Sequence, residues 1–339
     1  MSPSSKTLEE CKTISNNNPN GFNIVLFSTK EQAEKYSDYL LTISPFDKNK
    51  NAFNFYYIDS YSPECELYKG VAILCYSKEL IQKASSCPTD YIIVLKEESL
   101  EIRSSSYMNV ISINLEHQLN VFPHEFGHAF AVLAEEYTPA EIPKGSENCQ
   151  SSCDIFKNSD GCYQGCSKEN YYRSTENGIM RTLSSSNYGI FDENLISEKI
   201  TKNTNSKITG NAITEQQNCE NKDYYLIEGI YSEEETKILG KTIEQGCLGT
   251  SGDGFFEYKI IMGDDSTLAE GNFNPELIFT DVQSLNQDIL SGQTYISDKQ
   301  FYLRLPLIEN SKTLEISKDN QIISEINLQN IGKEFCKIK

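Results

Sequence analysis

Two histidines and a glutamate lie close together near the middle of the chain. His124, Glu125 and His128 form the pattern H-E-x-x-H and include two of the three histidines in 339 residues. On a helix, residues four apart lie on the same face, so both imidazoles can reach one metal ion. A glutamate beside them can take a proton from a zinc-bound water, whose pKa zinc lowers from 15.7 to roughly 7. The spacing predicts a zinc site with His124 and His128 as ligands and Glu125 as general base.

A catalytic zinc needs a third protein ligand and one open position. His117 is the only other histidine, and Pro123 between it and the motif favours a helix start there. A carboxylate is the better candidate, and Glu135 and Glu136 follow the motif. A straight helix would carry Glu135 about 10 Å past the second histidine, so we expect the helix to end near Leu133 and the chain to fold back. Glu135 and Glu136 both remain open as the third ligand.

The segment from His124 to Tyr137 resembles the active-site signature of the IgA-peptidase-like zinc metallopeptidases. It reads H-E-F-G-H-A-F-A-V-L-A-E-E-Y, and the family has H-E-F-G-H, an apolar stretch and then A-D-E-Y. Glu136 and Tyr137 match that pattern, whereas Glu135 stands where the family has Asp. The resemblance implies a metzincin-like peptidase with one catalytic zinc, held by the two histidines and a carboxylate.

A later segment also resembles this family. Asn177-Gly178-Ile179-Met180-Arg181 is similar to the family's I-M-R segment. In metzincins a methionine turn forms a hydrophobic floor under the zinc, and the resemblance implies that role for Met180. An ordinary core methionine is the alternative. Tyr137 and Tyr188 could donate hydrogen bonds in a transition state, but a structural role is the simpler expectation for each, because the chain has twenty tyrosines.

The elements that must position these residues alternate between apolar runs and helical or loop segments. Glu31–Leu41 fits an amphipathic helix. Five apolar runs are predicted as strands: Ile24–Phe27, Phe53–Ile58, Val71–Cys75, Tyr91–Leu95 and Val110–Ile113. This alternation predicts an α/β (α+β) metzincin-like catalytic domain with the zinc helix packed against its sheet.

Composition divides the chain into four parts. Residues 1–20 are polar and predict a flexible N-terminal segment, and residues 21–200 form the catalytic domain. Residues 201–218 predict a linker, and residues 219–339 show short runs of period two that predict an all-β, immunoglobulin-like sandwich. Because this last part has no histidine and no metal-ligand spacing, we expect it to fold separately and to contribute no catalytic residue.

The cysteines predict cross-links. Four of them share a polar loop with the spacing C-x3-C-x8-C-x3-C, namely Cys149, Cys153, Cys162 and Cys166. The loop lacks the C-x2-C of structural zinc sites, so we expect two disulfides, with a second zinc as the alternative. Cys219 and Cys247 are a third candidate pair. The total of eleven is odd, and Cys11 in the polar terminus is the expected unpaired cysteine.

Charge and cysteine content limit the possible partners and location. The net charge of −19 argues against nucleic acid and anionic membrane surfaces as partners. No run approaches the roughly 20 apolar residues of a transmembrane helix. Residues 1–5 carry no signal peptide, although one could have been removed. The cysteines favour an oxidising compartment, so we expect an extracellular or cell-surface protein.

Together these patterns predict a secreted or surface zinc endopeptidase with a protein or peptide substrate. Zinc-activated water would attack the peptide bond, with Glu125 as the base. The first alternative is a catalytically inactive surface recognition or adhesion protein with a peptidase-like domain. The second is a zinc hydrolase that acts on a non-peptide amide. The intact Glu125 favours an enzyme, since a purely structural zinc site has no need of a base.

Overall fold

The computed structural model describes residues 8–157, 159–206, 219–232, 236–249, 254–283 and 290–329. These residues form four α-helices: α1 (Lys30–Leu40), α2 (Lys78–Ala84), α3 (Val121–Ala131) and α4 (Ile190–Ser206). In the ranges given, no helix combines the length and the apolar character needed to cross a lipid bilayer.

The same residues form nineteen strands. The strands before residue 219 are β1 (Lys12–Asn16), β2 (Phe22–Phe27), β3 (Phe53–Ile58), β4 (Glu66–Tyr68), β5 (Ala72–Leu74), β6 (Tyr91–Lys96), β7 (Ser104–Tyr107), β8 (Val110–Asn114), β9 (Tyr163–Cys166) and β10 (Lys168–Arg173). Those after it are β11 (Asp223–Tyr231), β12 (Thr236–Gln245), β13 (Phe256–Met262), β14 (Thr267–Phe273), β15 (Leu277–Gln283), β16 (Leu290–Ile296), β17 (Gln300–Pro306), β18 (Ser311–Lys318) and β19 (Gln321–Asn327).

The main sheet has the order β1-β3-β2-β6-β8-β7-β15-β16. Strands β3, β2, β6 and β8 run parallel, while β1 and β7 are antiparallel to their neighbours. The parallel strands are apolar almost throughout because both of their faces are covered. Helices α1, α3 and α4 pack on one face, and α2 packs on the other. The predicted α+β architecture is confirmed, with one exception: the run near residue 73 forms β5, which pairs with β4 in a small separate sheet.

The C-terminal part contains the predicted β-sandwich. One sheet has the order β12-β11-β17 and the other β14-β13-β18-β19. Between them lies a buried apolar core that includes Ile227, Phe256, Leu303 and Ile316. The period-two pattern arises because alternate side chains of each strand point into this core. An immunoglobulin-like identity for the sandwich stays a prediction.

The boundary predicted at residue 219 does not separate the two sheets. Strands β15 and β16 form a hairpin that leaves the sandwich and joins the main sheet, where β15 pairs antiparallel with β7. The register runs from Ile278 opposite Tyr107 to Asp281 opposite Ser104. The physical reason is that β7 would otherwise present a row of unpaired main-chain groups at a sheet edge.

The two parts also share apolar cores, which argues against the expected separate folding. Tyr224 and Leu226 of β11 are buried in the cluster beneath β2 and α2. Ile278 is buried against Tyr107 of β7. The buried Arg304 donates to the carbonyl oxygen of Thr89 at 2.9 Å, so a polar contact joins the parts as well.

The expected flexible N-terminus and linker also need correction. Within residues 1–20, the segment 12–16 is strand β1, and the adjacent Cys11 is bonded to Cys87 rather than unpaired. The disulfide and the pairing with β3 anchor a segment that its polar composition alone would leave loose. Helix α4 extends to Ser206, so the first part of the predicted linker is helical, and residues 207–218 lie outside the described residues.

The expected disulfides are present. Cys149 is bonded to Cys166, Cys153 to Cys162, and Cys219 to Cys247. The four loop cysteines are therefore not a second zinc site in this structure. A fifth pair in the described part of the chain, Cys65–Cys75, was not predicted.

A chain that ends at Ser206 should be much less stable than the full chain. It would lose the burial of Tyr224, Leu226 and Ile278. Each such side chain contributes about 1.5–3 kcal/mol when fully buried, against a typical total of 5–15 kcal/mol. Urea unfolding followed by circular dichroism, with dye binding to exposed apolar surface, checks this. Equal midpoints and no dye binding would show that the first part folds independently.

Candidate metal centre

Helix α3 positions the histidines because its opposite face is apolar. Phe122, Phe126 and Phe130 are buried on that face, and Phe126 and Phe130 stack with ring centroids 5.1 Å apart. Phe46 packs edge-on against the same two rings. Pro123 lies in the first turn, where its missing N–H costs nothing. With the aromatic face held by the sheet, the other face of the helix carries the motif.

The chain reverses direction immediately after α3. The helix ends at Ala131, and Val132 adopts the left-handed conformation with φ 53°. A β-branched residue is rarely found there, so the surrounding contacts must hold it in place. The Leu133 amide donates back to the Gly127 carbonyl oxygen at 3.3 Å. The predicted end of the helix near Leu133 and the fold-back are therefore confirmed.

The reversal brings Glu135 to the histidines. Its Oε1 lies 3.0 Å from Nε2 of His128, and its Oε2 lies 3.4 Å from Nε2 of His124. Glu136 is also buried but points away, toward Asp192. Of the two glutamates that the sequence left open, Glu135 joins the cluster.

Backbone carbonyls fix the protons of both imidazoles. Nδ1 of His124 lies 3.0 Å from the oxygen of Ile179, and Nδ1 of His128 lies 2.7 Å from the oxygen of Leu133. A carbonyl oxygen can only accept, so each Nδ1 carries the proton and each Nε2 presents a lone pair. The two Nε2 atoms are 3.2 Å apart. Two lone pairs at this distance repel each other unless a cation lies between them.

A fourth residue, Asp281 of β15, completes the cluster. Ligand atoms of His124, His128, Glu135 and Asp281 all lie within 4.8 Å of one another, and this group could hold a metal ion. Oδ2 of Asp281 is 3.4 Å from Nε2 of His124 and 3.9 Å from that of His128. Tyr137 donates to Oδ1 at 2.5 Å and so orients the carboxylate. The C-terminal part, in which the sequence shows no metal-ligand spacing, therefore brings one carboxylate to the cluster.

The sequence carried only a weak signal for Asp281. The run Leu277-Ile-Phe-Thr-Asp-Val reads as a strand, and aspartate is depleted in strands. With period two, Asp281 shares a face with Leu277 and Phe279, so an acid stands where an apolar side chain is expected. An acid that points into the core suggests that a buried cation or hydrogen-bond donor faces it, but the sequence does not identify that group.

The cluster concentrates negative charge in a buried space. Burial raises the pKa of Glu125 and of Glu135 well above the ordinary value, and the neighbouring carboxylates raise both further. Burial acts on Asp281 in the same direction, but His124 and His128 in their protonated form outweigh it and lower the pKa of Asp281 to about 2; neutral imidazoles would leave that positive charge to a metal ion. Carboxylate oxygens of all three acids lack a hydrogen-bond donor of ordinary geometry among the described residues. A divalent cation would compensate this charge, so the donor set fits a metal ion.

The remaining histidine and Tyr188 are engaged elsewhere. Nδ1 of His117 lies 3.1 Å from Oγ of Ser104, and its Nε2 lies 3.1 Å from the oxygen of Leu100. His117 is therefore not part of the cluster. The Tyr188 hydroxyl donates to the carbonyl oxygen of Pro123, so that side chain supports α3 rather than facing the metal ligands.

Met180 lies directly beneath the motif. It is fully buried, and a Cβ added to Gly127 would lie 2.8 Å from its sulfur. Gly127 stands between the two histidines, so the glycine permits the close approach of the thioether. The Met180 carbonyl oxygen accepts from the amide of Glu136 at 3.0 Å. One residue thus supports both the helix and the returning chain.

The site is almost closed from solvent. The Phe279 ring stacks on the His128 imidazole with centroids 4.0 Å apart and planes inclined by 10°. Next to His128 lies a cavity of about 30 Å³, bordered by Ser106, Met108 and Phe279. This volume admits about one water molecule.

Comparison with known proteins adds no relative. No protein-family profile matches the chain, and no curated protein matches it significantly. The metal centre therefore rests on the geometry of the chain's own residues.

Glu135→Gln should weaken metal binding far more than Glu136→Gln. Both glutamates are buried, but only Glu135 faces the histidines. Loss of a partner outside the ligands typically costs 10–100-fold in affinity, so loss of a ligand should cost more than about 100-fold. Competition with a colorimetric chelator measures both variants. Equal losses would remove Glu135 from the ligand set.

Proposed function

We propose that this chain is a zinc-dependent endopeptidase that hydrolyses peptide bonds. One observation carries the proposal. The Nε2 lone pairs of His124 and His128 and the carboxylate of Glu135 converge on one point, and the buried carboxylate of Glu125 lies next to Glu135. A structural metal site needs the first three groups but not the fourth.

The donor set suits zinc among the common metals. Zinc takes imidazole nitrogen at about 2.0–2.1 Å in tetrahedral sites, which places two such nitrogens about 3.3 Å apart. The observed spacing of the Nε2 atoms is 3.2 Å. Calcium and magnesium favour six or more oxygen ligands, which this site does not offer.

The residues have separate tasks in this mechanism. When bound, zinc would polarise the scissile carbonyl and make water a stronger acid. Glu125 takes a proton from the attacking water and delivers it to the nitrogen of the leaving amine. The carbonyl oxygens of Ile179 and Leu133 hold the two imidazoles in the tautomer that binds metal.

A metzincin-like arrangement is part of the proposal. Supporting it are parallel strands followed by the antiparallel strand β7, a helix that carries H-E-F-G-H, and Met180 against Gly127. An extended peptide can add to a strand edge through main-chain hydrogen bonds, and β7 would offer such an edge if β15 left it. This favours a peptide substrate over a small amide.

A second candidate function follows from Asp281. With four protein donors a zinc ion would have no open coordination position, and such zinc sites are usually structural. The chain would then be an inactive recognition or adhesion protein. Glu125 favours the enzyme, because a buried acid outside the ligand group is costly and has no purpose in a structural site.

The disulfides support a location outside the cytoplasm. Ten cysteines of the described residues form five pairs. Disulfides persist mainly in oxidising compartments. We therefore propose an exported or surface-attached enzyme.

Glu125→Gln should retain the metal and lose hydrolysis. The amide has nearly the same shape but cannot act as a base, and loss of general-base catalysis typically costs 10²–10⁴-fold. Metal analysis and cleavage of a casein panel, with and without a chelator, measure the two properties. Glu136→Gln is the matched control, since it is an equally buried glutamate outside the cluster. Cleavage by Glu125→Gln at the wild-type rate would contradict the assignment.

A further inference from the structure

The hairpin formed by β15 and β16 lies across the metal centre. Strand β15 pairs with β7 over four residue pairs, from Ile278 opposite Tyr107 to Asp281 opposite Ser104. Without the hairpin, β7 would be the open edge of the main sheet. An extended chain therefore already uses the main-chain groups that a peptide substrate would need.

Two side chains on one face of β15 point into the centre. Phe279 and Asp281 are two residues apart and so share a face of the strand. The Phe279 ring covers the His128 imidazole, and the Asp281 carboxylate lies among the metal-ligand atoms. Strand β15 therefore covers the metal ligands at two points: Phe279 covers His128, and Asp281 lies among the ligand atoms.

The hairpin fits closely against Tyr137. The Tyr137 hydroxyl donates to Oδ1 of Asp281 at 2.5 Å, which turns Oδ2 toward the histidines. Gly292 of β16 lies opposite Asp281, and a Cβ added there would collide with the Tyr137 hydroxyl and the Asp281 carboxylate. Any residue larger than glycine at position 292 would have to move the hairpin.

We propose that this hairpin is a built-in inhibitor of the metal centre. Strand β15 takes the place of an extended peptide along β7, and Asp281 takes the metal position that hydrolysis requires to be open. The chain is then latent as folded, and it becomes active when the hairpin moves away from β7. This inference rests on the proposed peptidase function.

The closed state carries a cost that favours a reversible cover. Glu125, Glu135 and Asp281 are buried together, and the main chain of Asp281 supplies the hydrogen bond that acts on Glu125. Burying several acids together is destabilising, because each loses its hydration or must take up a proton, and like charges add to the cost. Opening the hairpin returns Asp281 and Glu125 to water. A permanent structural cover would gain nothing from retaining Glu125.

The contacts at the base of the hairpin are weak enough to allow this motion. Lys69 pairs with Asp298 at 2.6 Å, and both side chains are about half exposed. Tyr295 meets Tyr68 edge-on with centroids 5.6 Å apart. Exposed ion pairs contribute about 0–1 kcal/mol. The hairpin is held mainly by its pairing with β7, by the two inward side chains and by the buried Ile278 on its other face.

Cobalt(II) and acetohydroxamate can report whether the metal position is open. The full-length chain is loaded with cobalt(II), and hydroxamate binding is followed by the visible absorption of the metal. Two variants should open the site: Asp281→Asn removes the inhibitory carboxylate, and Gly292→Ala displaces the hairpin while Phe279 and Asp281 keep their side chains. Circular dichroism verifies that each variant is folded, and either one suffices if the other misfolds.

Matched controls separate displacement from general destabilisation. Gly240 lies in strand β12, where an added Cβ meets nothing closer than 4.0 Å, so Gly240→Ala should leave the hairpin in place. Asp265 is exposed in a turn with φ 64°, a conformation that asparagine also tolerates. Asp265→Asn therefore makes the same chemical change as Asp281→Asn away from the centre.

If the hairpin covers the metal centre in 90–99% of the molecules, the apparent affinity for hydroxamate is weakened about 10–100-fold. Both opening variants should therefore bind hydroxamate at least about 10-fold more tightly than the wild type and the two controls. Equal binding by all five proteins would overturn the proposal. Loss of cobalt from Asp281→Asn, with Gly292→Ala behaving as wild type, would also overturn it, since Asp281 would then be a permanent structural ligand.

The same proteins distinguish this inference from the proposed function. Cleavage of casein is measured for each variant with zinc, with and without a chelator. If the variants bind hydroxamate tightly but cleave no peptide, the latency stands and the peptidase assignment fails. If the wild type cleaves as fast as the opened variants, the peptidase assignment stands and the latency fails.

Discussion

The close approach of two imidazole lone pairs is the interaction on which the rest of the site depends. Nε2 of His124 and Nε2 of His128 face each other at 3.2 Å, and the carbonyl oxygens of Ile179 and Leu133 prevent either ring from turning its proton inward. This arrangement is unfavourable without a cation. The buried carboxylates nearby are equally unfavourable without one, so a single metal ion would relieve both problems.

The fold secures this arrangement from the side away from the metal. The phenylalanines of α3 pack against the sheet, and Met180 fills the space against Gly127. At the end of the helix, the ammonium of Lys199 in α4 lies over the Phe130 ring and donates to the Phe130 carbonyl oxygen. A cation at that position stabilises the negative end of the helix dipole. Helix α3 is therefore fixed at its face and at its C-terminus, which leaves the histidines little freedom.

The local part of this site could be predicted from the sequence, and the distant part could not. Helical spacing is enough to pair His124 with His128, and the short distance to Glu135 requires a chain reversal that Val132 provides. Asp281 and the partner of Cys11 depend on contacts between residues far apart in the chain. No periodicity encodes such contacts. The choice between Glu135 and Glu136 was likewise undetermined, because it depends on the side-chain direction after a left-handed residue.

The hairpin also explains why a boundary at residue 219 left Asp281 out of the predicted site. A sandwich without histidines offers no metal-ligand pattern, yet it delivers one carboxylate through a strand that completes a sheet edge. A closed state favoured 99 to 1 requires only about 2.7 kcal/mol. Four paired residues, the buried Ile278, one stacked ring and one carboxylate can supply that, since a hydrogen bond to a charged group alone contributes about 1.5–3 kcal/mol. The same small margin means that a competing peptide along β7, or the loss of one carboxylate, is enough to reverse the balance.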